Sequence, residues 1–397
     1  MKRNLDDWLS SYLKYVNDTE QPKQFKIWSA VSCIAGALQR RVYWPWGSGR
    51  IFPHLYIVLV GKSGLGKGEA MKPAINIFKE LEFPIVAEAT TREDLIQFMA
   101  KDAQATYRCN HTNTDVVQSA VQIFSKELIV LLGEKNFPML SNMTDWYDAD
   151  DLWSYKTKTA GKFAISGVCP NMLAATAPDW IDAMIPVEAH GGGFASRVLF
   201  VVATKKDKLI PFPIYNDWHL ERRKDLIHDL KIISTLSGPI EADPTAMELF
   251  RDFYMEQEEA LLKGDLPEHI TDPGLEGYVT RRPMQLCKLA MIMSVSRSNS
   301  LVIKTQDIEK AKVLLTEAEK DMSKVFMGLG KADGSKAIYS ITQYLIEKGP
   351  TTRQVLLRAL HREFDFEAID KAISFLEQMG AIKTKTDGKG TTYSTIK

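Results

Sequence analysis

Gly61-Lys62-Ser63-Gly64-Leu65-Gly66-Lys67-Gly68 has the spacing G-x-x-x-x-G-K of a phosphate-binding loop. Glycines let the backbone wrap an anion so that successive N–H groups point inward. Lys67 adds a point charge for the outer phosphates, and the helix that follows offers its positive N-terminal end. With Glu69 at the head of that helix, residues 61–69 form the candidate nucleotide cradle. One position departs from the pattern. After the lysine the motif carries Ser or Thr, whose hydroxyl ligates Mg²⁺, and here the residue is Gly68. The departure weakens a metal site and leaves the phosphate cradle intact.

A nucleotide-hydrolysing site also needs an acidic group at the end of a neighbouring strand, to position the metal and polarise water. Glu127 follows VQIF after Ser125 and Lys126, and Glu134 follows LIVLLG. Glu127 is preferred as the catalytic acid and metal residue, because VQIF has strand character and LIVLL then packs as a helix. Neither glutamate belongs to an Asp-Glu pair. Thr176, ending NMLAAT, could sense a γ-phosphate, though threonine is also an ordinary strand residue. Arg197, after three glycines and before VLFVV, suits a finger reaching a neighbouring subunit's γ-phosphate.

The segment DLWSYKTKTAGKFAISG (151–167) alternates like a β-hairpin. It carries Lys156, Lys158 and Lys162 near its tip, with Trp153, Tyr155 and Phe163 interleaved. Basic and aromatic residues on a protruding hairpin suit a single-stranded nucleic acid; a solvated lysine-rich turn is the rival reading. Asp145, Asp148, Asp150 and Asp151 precede it. They lack calcium-loop spacing and read as a helix end.

These residues need positioning elements. Leu5, Trp8, Leu9, Tyr12, Leu13 and Val16 recur as one helical stripe, and a second apolar helix runs from Phe25 to Leu38. VYWPW is a short strand. LYIVLV (55–60) reads as a strand buried on both faces of a parallel sheet. FPIVAEA is expected as a strand, residues 92–101 as a helix capped by Thr91, and residues 102–117 as a loop. SAVQIF, NMLAATAP and RVLFVVAT are further strands. Residues 137–151 and most of 215–327 read as helical. Residues 335–397 give three helices and a hairpin around DGKG, the grammar of a winged helix.

The chain has 397 residues, enough for several domains: N-terminal helices at 1–45, an α/β core with the phosphate loop at 46–212, a helical region at 213–330 and a winged helix at 335–397. Lys+Arg and Asp+Glu are both 50, so uniform electrostatic binding of nucleic acid is excluded and any such contact must be local. Cys33, Cys109, Cys169 and Cys287 show no metal or disulfide spacing and read as free thiols. The N-terminus lacks a leader or membrane-spanning run. A soluble cytoplasmic protein with no membrane partner is expected.

The N-terminal helices before RVYWPW, FPHLYIVLVGKSGLGK, the glutamate of SKEL, TDWYDADDLWSYKTK, CPNMLAATAPDW and GGGFASRVLFV together resemble a family of phage and prophage replication ATPases. These are helicase-like domains of uncharacterised function, often found behind primases. The chain is also similar to AAA+ helicases of the superfamily 3 and minichromosome-maintenance type. The resemblance implies an α/β P-loop fold and a homo-oligomeric, hexameric ring with ATP and Mg²⁺ between subunits. It makes Lys67 the phosphate lysine, Glu127 the acid, Thr176 the sensor and Arg197 the finger. Lys156, Lys158 and Lys162 become the pore hairpin on single-stranded DNA, and Arg281 or Arg282 the second sensor arginine. Primase or polymerase partners are implied by the resemblance, and priming by this chain itself is not.

Three readings follow. The first is an ATP-driven DNA helicase or translocase of a phage or mobile-element replicon. The second is an ATP-switched helicase loader or DNA-binding adaptor with slow or no hydrolysis. The third is a scaffold with a dead phosphate loop. Gly68 favours the latter two; Arg197 and the lysine hairpin favour the first. Residues 335–397 hold ten Lys/Arg and seven Asp/Glu, with Glu367, Asp370 and Glu377 on the third helix, so they fit protein or DNA.

Overall fold

The computed structural model describes residues 2–157, 161–185, 193–270, 272–326, 333–361, 364–387 and 390–395. The chain is a mixed α/β protein that divides into two compact units, residues 1–325 and 326–397.

The larger unit is organised by a five-stranded sheet in the order Gln104–Arg108, Asp115–Ser125, Val168–Thr176, Tyr56–Val60, Val198–Val202. The last four strands are parallel, and Gln104–Arg108 runs antiparallel at the edge. Tyr56–Val60 lies between two parallel neighbours and every residue in it is buried, as its unbroken apolar run requires. Its C-terminal end opens into the glycine loop, and the helix Lys67–Phe78 follows.

The helix Lys23–Leu38 is buried throughout from Phe25 to Leu38 and packs between the sheet and the helices Lys67–Phe78 and Asp217–Ser234. Gly36 makes that approach possible. A Cβ there would lie 2.2 Å from Gln122 Oε1 and 2.9 Å from the Phe78 ring. Gln122 Oε1 instead accepts from Asn171 Nδ2 (2.7 Å), Asn171 Oδ1 accepts from the Leu55 N–H (2.8 Å), and Asn171 Nδ2 also donates to Ser32 O (2.9 Å), so a buried polar chain ties helix to sheet.

Two sequence expectations change. Residues 102–117, expected as a loop, contain the strand Gln104–Arg108 and the first residues of Asp115–Ser125, paired from Gln104↔Ser119 to Arg108↔Asp115. The edge strand is polar and largely exposed, so it carries no apolar signature. FPIVAEA, expected as a strand, contributes only an isolated bridge, Ile85↔Gln122. Pro84 lacks an N–H, so pairing reduces to the Val86 N–H on Gln122 O and the Gln122 N–H on Pro84 O.

Helices dominate residues 217–326, with Asp217–Ser234, Pro244–Leu262, Arg282–Arg297 and Thr305–Glu319 as the long ones. The smaller unit has helices Asp333–Lys348, Arg353–Leu360 and Phe366–Gln378. Its three-stranded antiparallel sheet has the order Thr351–Thr352, Gly390–Thr395, Ile382–Asp387. Ile341, Leu356, Ile369, Ile373 and Tyr393 are among its core residues. No helix among the described residues is long and apolar enough to cross a membrane.

Candidate functional site

The glycine loop sits at the C-terminal edge of the sheet, between the central strand and the helix it feeds. Chain crossovers leave a crevice at such a place. Gly64 (φ 87°) and Gly66 (φ 71°) are left-handed, the conformation that turns consecutive N–H groups to one side, and Gly66 caps the helix. Lys62, Ser63 and Gly64 are exposed, while Gly61 and Leu65 are buried anchors. The Lys67 ammonium donates to Gly61 O (2.6 Å) and Lys62 O (3.3 Å), which holds it across the loop mouth.

Burial pulls the Lys67 pKa down and the Glu127 charge pushes it back up. Glu127 is thus within electrostatic range of the loop lysine. It is exposed at the end of Asp115–Ser125 and heads the short helix Leu128–Leu132, which LIVLL forms as expected. Glu134 lies beyond that helix, in the turn before Phe137–Tyr147. Thr176 ends its strand beside the loop root: its carbonyl accepts from the Gly61 N–H (3.3 Å) and its hydroxyl donates to Ala177 O (3.1 Å).

Arg197 lies elsewhere. It precedes Val198, which pairs with Tyr56 at the start of the central strand, so it sits at the end of the sheet away from the loop. Its guanidinium is almost buried. Nη2 donates to both oxygens of Asp148 (3.0 and 2.8 Å) and Nη1 to Gly193 O (3.0 Å). Arg281 shares this neighbourhood: its pKa is lowered by burial and then by the Arg197 charge, with Asp148 opposing. Arg282 is committed to Glu319, which accepts two hydrogen bonds from Arg282 Nε (2.8 and 2.9 Å) and one from Tyr278 (2.8 Å). The two candidate sensor arginines thus separate: Arg281 faces Arg197, and Arg282 belongs to a buried ion pair.

Beneath Arg197 lies a buried group that sequence reasoning missed. Lys288 Nζ donates to His54 O (2.9 Å) and stands 3.9 Å over the Tyr147 ring. Burial, aided by the Arg197 charge, brings the Lys288 pKa down to about 7. Burial first, and then the Lys288 charge, holds His54 well below the usual histidine value. The available signal was a lone lysine inside the apolar run LCKLAMIM.

The segment 151–167 forms the hairpin Leu152–Thr157/Gly161–Ser166, with Lys156 opposite Lys162 and Tyr155 opposite Phe163. Alternation puts the two lysines on the exposed face. Trp153, Tyr155 and Phe163 take the other face, toward the helix Arg92–Lys101, where Arg92 stacks on Tyr155 and Lys101 on Phe163. Lys158 lies outside the described residues, as do Gly191 and Gly192. Asp151 anchors the hairpin base on Arg40 and Arg50. Asp148 and Asp151 of the acidic stretch are thus partners of arginines.

The residues at the loop do not fit a magnesium site. Gly68 offers no hydroxyl, the first residue after Asp115–Ser125, which lies two strands from Tyr56–Val60, is the cation Lys126, and Glu127 is not part of an Asp-Glu pair in the chain. No family model matches the chain, and a search of curated proteins finds no match.

Proposed function

We propose that this chain is the ATP-binding subunit of a ring-shaped DNA helicase or translocase of a phage or mobile-element replicon. In this reading residues 1–325 are a P-loop, AAA+-like ATPase with a helical collar and lid, and the smaller unit is a winged helix. The carrying observation is the division of labour across the sheet. The loop, Lys67, Glu127 and Thr176 gather at one end, while Arg197 and Arg281 gather at the other. An arginine at the far end cannot serve its own loop, so two such chains complete one site: a loop from one, arginines from the next. Lys67 and the loop N–H groups bind phosphate, Glu127 orients and deprotonates the attacking water, and Thr176 borders the phosphates.

The exposed lysine face of the hairpin supplies the contact to single-stranded DNA. Lys156 directly opposite Lys162 is a repulsive cross-strand pair that an anionic backbone would relieve. Primase or polymerase partners follow from the resemblance alone. The second reading, an ATP-switched loader or adaptor with slow turnover, is favoured by the unsuited metal position at Gly68 and Lys126. The deciding experiment measures ATP binding, ATP turnover and oligomer size with and without single-stranded DNA. Rings with DNA-stimulated turnover and strand displacement support the helicase. Stable ATP-bound assemblies without unwinding support the loader, and absence of ATP binding defeats both.

A further inference from the structure

We infer that the loop takes its nucleoside triphosphate without a divalent cation, the ammonium of Lys126 supplying the positive charge that a metal would bring. The inference rests on the phosphate-loop reading and goes beyond it.

Two positions normally hold the metal at such a loop: the hydroxyl after the loop lysine and an acid at the tip of the neighbouring strand. In this chain the first position lacks a hydroxyl, and the residue between the strand and the candidate acid Glu127 is a lysine that lies against that first position. The first is Gly68. The second is the tip of Asp115–Ser125, where Lys126 is the first residue past the strand and Glu127 the next. A Cβ built on Gly68 would meet Lys126 before any other residue, with its Cδ at 3.7 Å and its Cγ at 3.8 Å. The stem of Lys126 thus runs over the spot from which a metal-binding hydroxyl would project. A dication there would be crowded by a cationic side chain, whereas a phosphate oxygen within reach of that ammonium would gain a donor.

Lys126 is free to make that contact. Its partner is Glu88 at 3.4 Å, and both side chains are largely exposed, so the pair is weak and exchangeable. Lys126 and Glu88 line an open groove of about 520 Å³ that runs along the helix Lys67–Phe78 from its first turn, shared with Gly68, Glu69, Lys72 and Lys79. An ammonium needs no fixed coordination geometry. It offers three rotatable donors and suits an anion whose oxygens present several acceptors.

The test is equilibrium titration of the full chain with ATPγS, once in excess EDTA and once in excess MgCl₂. Binding in EDTA as tight as in magnesium is expected. Lys126→Ala should lose about tenfold or more in EDTA, the scale of one charge-assisted hydrogen bond. Lys126 is exposed, so this variant folds. The double variant Gly68→Ser/Lys126→Asp should bind well only with magnesium. Wild-type binding that requires magnesium overturns the inference and leaves the phosphate loop standing. Unchanged affinity of Lys126→Ala in EDTA overturns the role of Lys126. No binding in either buffer overturns the phosphate loop itself, and this inference with it.

Discussion

Lys67 and Arg197 lie at opposite ends of the same sheet. Five register pairs, from Tyr56↔Val198 to Val60↔Val202, separate the level of Arg197 from the root of the loop that carries Lys67. At ~3.3 Å per residue the span is roughly 20 Å, beyond the reach of an arginine side chain. Arg197 is also held at its own end by Asp148, and about half of that carboxylate faces solvent. A nucleotide in one chain's loop can therefore meet this arginine only from a second chain.

Arg197→Ala should cut ATP turnover by roughly 10³-fold, the scale of an arginine finger, with ATP affinity little changed. Lys67→Ala should lose binding. Mixing the two inactive proteins should restore part of the activity, because some interfaces pair an intact loop with an intact arginine. A mixture as inactive as its components would place Arg197 outside the site.

The hairpin makes a separate prediction. Replacing Lys156, Lys158 and Lys162 together by Ala should weaken single-stranded DNA binding and flatten its salt dependence by roughly 0.7 in log–log slope per lost phosphate contact. ATP binding should persist, since the lysine face is a separate surface from the loop. Salt titrations of a labelled oligonucleotide measure it. An unchanged slope makes the pair a solvated turn and turns attention to Lys383 and Lys385 of the smaller unit's hairpin.

Lys288 predicts a pH dependence of stability. Its native pKa is about 7, below the ordinary lysine value. Above pH 7 the unfolded chain therefore holds a proton that the native chain has released. Stability from this group rises with pH through that window, with a slope on the order of 1 kcal/mol per pH unit. Denaturant unfolding of wild type and Lys288→Met between pH 7 and 9 isolates it. The variant should be the more stable at pH 7, and the gap should narrow toward pH 9. Parallel curves would show that Lys288 keeps its proton in the fold.

The two adjacent arginines should part company under mutation. Arg282→Ala strips a buried carboxylate of its cation and should destabilise the larger unit by about 3–5 kcal/mol. Arg281→Ala removes a half-buried group beside Arg197 and should leave the unfolding midpoint nearly unchanged while lowering ATP turnover. Thermal melts and turnover assays on both variants check it; equal melting losses would reject the division.

Local chemistry made part of this legible in the chain. The loop is specified by its own glycines and by the strand and helix joined to it. Thr91 caps its helix by accepting from the Asp94 N–H, as a threonine ahead of acidic helix formers announces. LIVLL forms the helix Leu128–Leu132 because the strand before it ends at Ser125, and that leaves Glu127 in the turn between them, within electrostatic range of Lys67. The strand Gln104–Arg108 was illegible because an exposed edge has no apolar period. The aromatic and basic residues of the hairpin, interleaved in sequence, part onto opposite faces because strand side chains alternate.

By itself, then, the sequence determined the phosphate-loop pattern, the buried parallel strands and the three-helix and hairpin grammar of the C-terminal residues, since all depend on neighbours a few residues apart. Only the tertiary structure decided which groups meet. Glu127 within electrostatic range of Lys67, Asp148 holding Arg197, Arg282 paired with Glu319, and Lys126 lying against Gly68 all join residues from different elements. Such meetings follow from strand order and from the close approach of helices that Gly36 permits, and no periodicity in the chain encodes them.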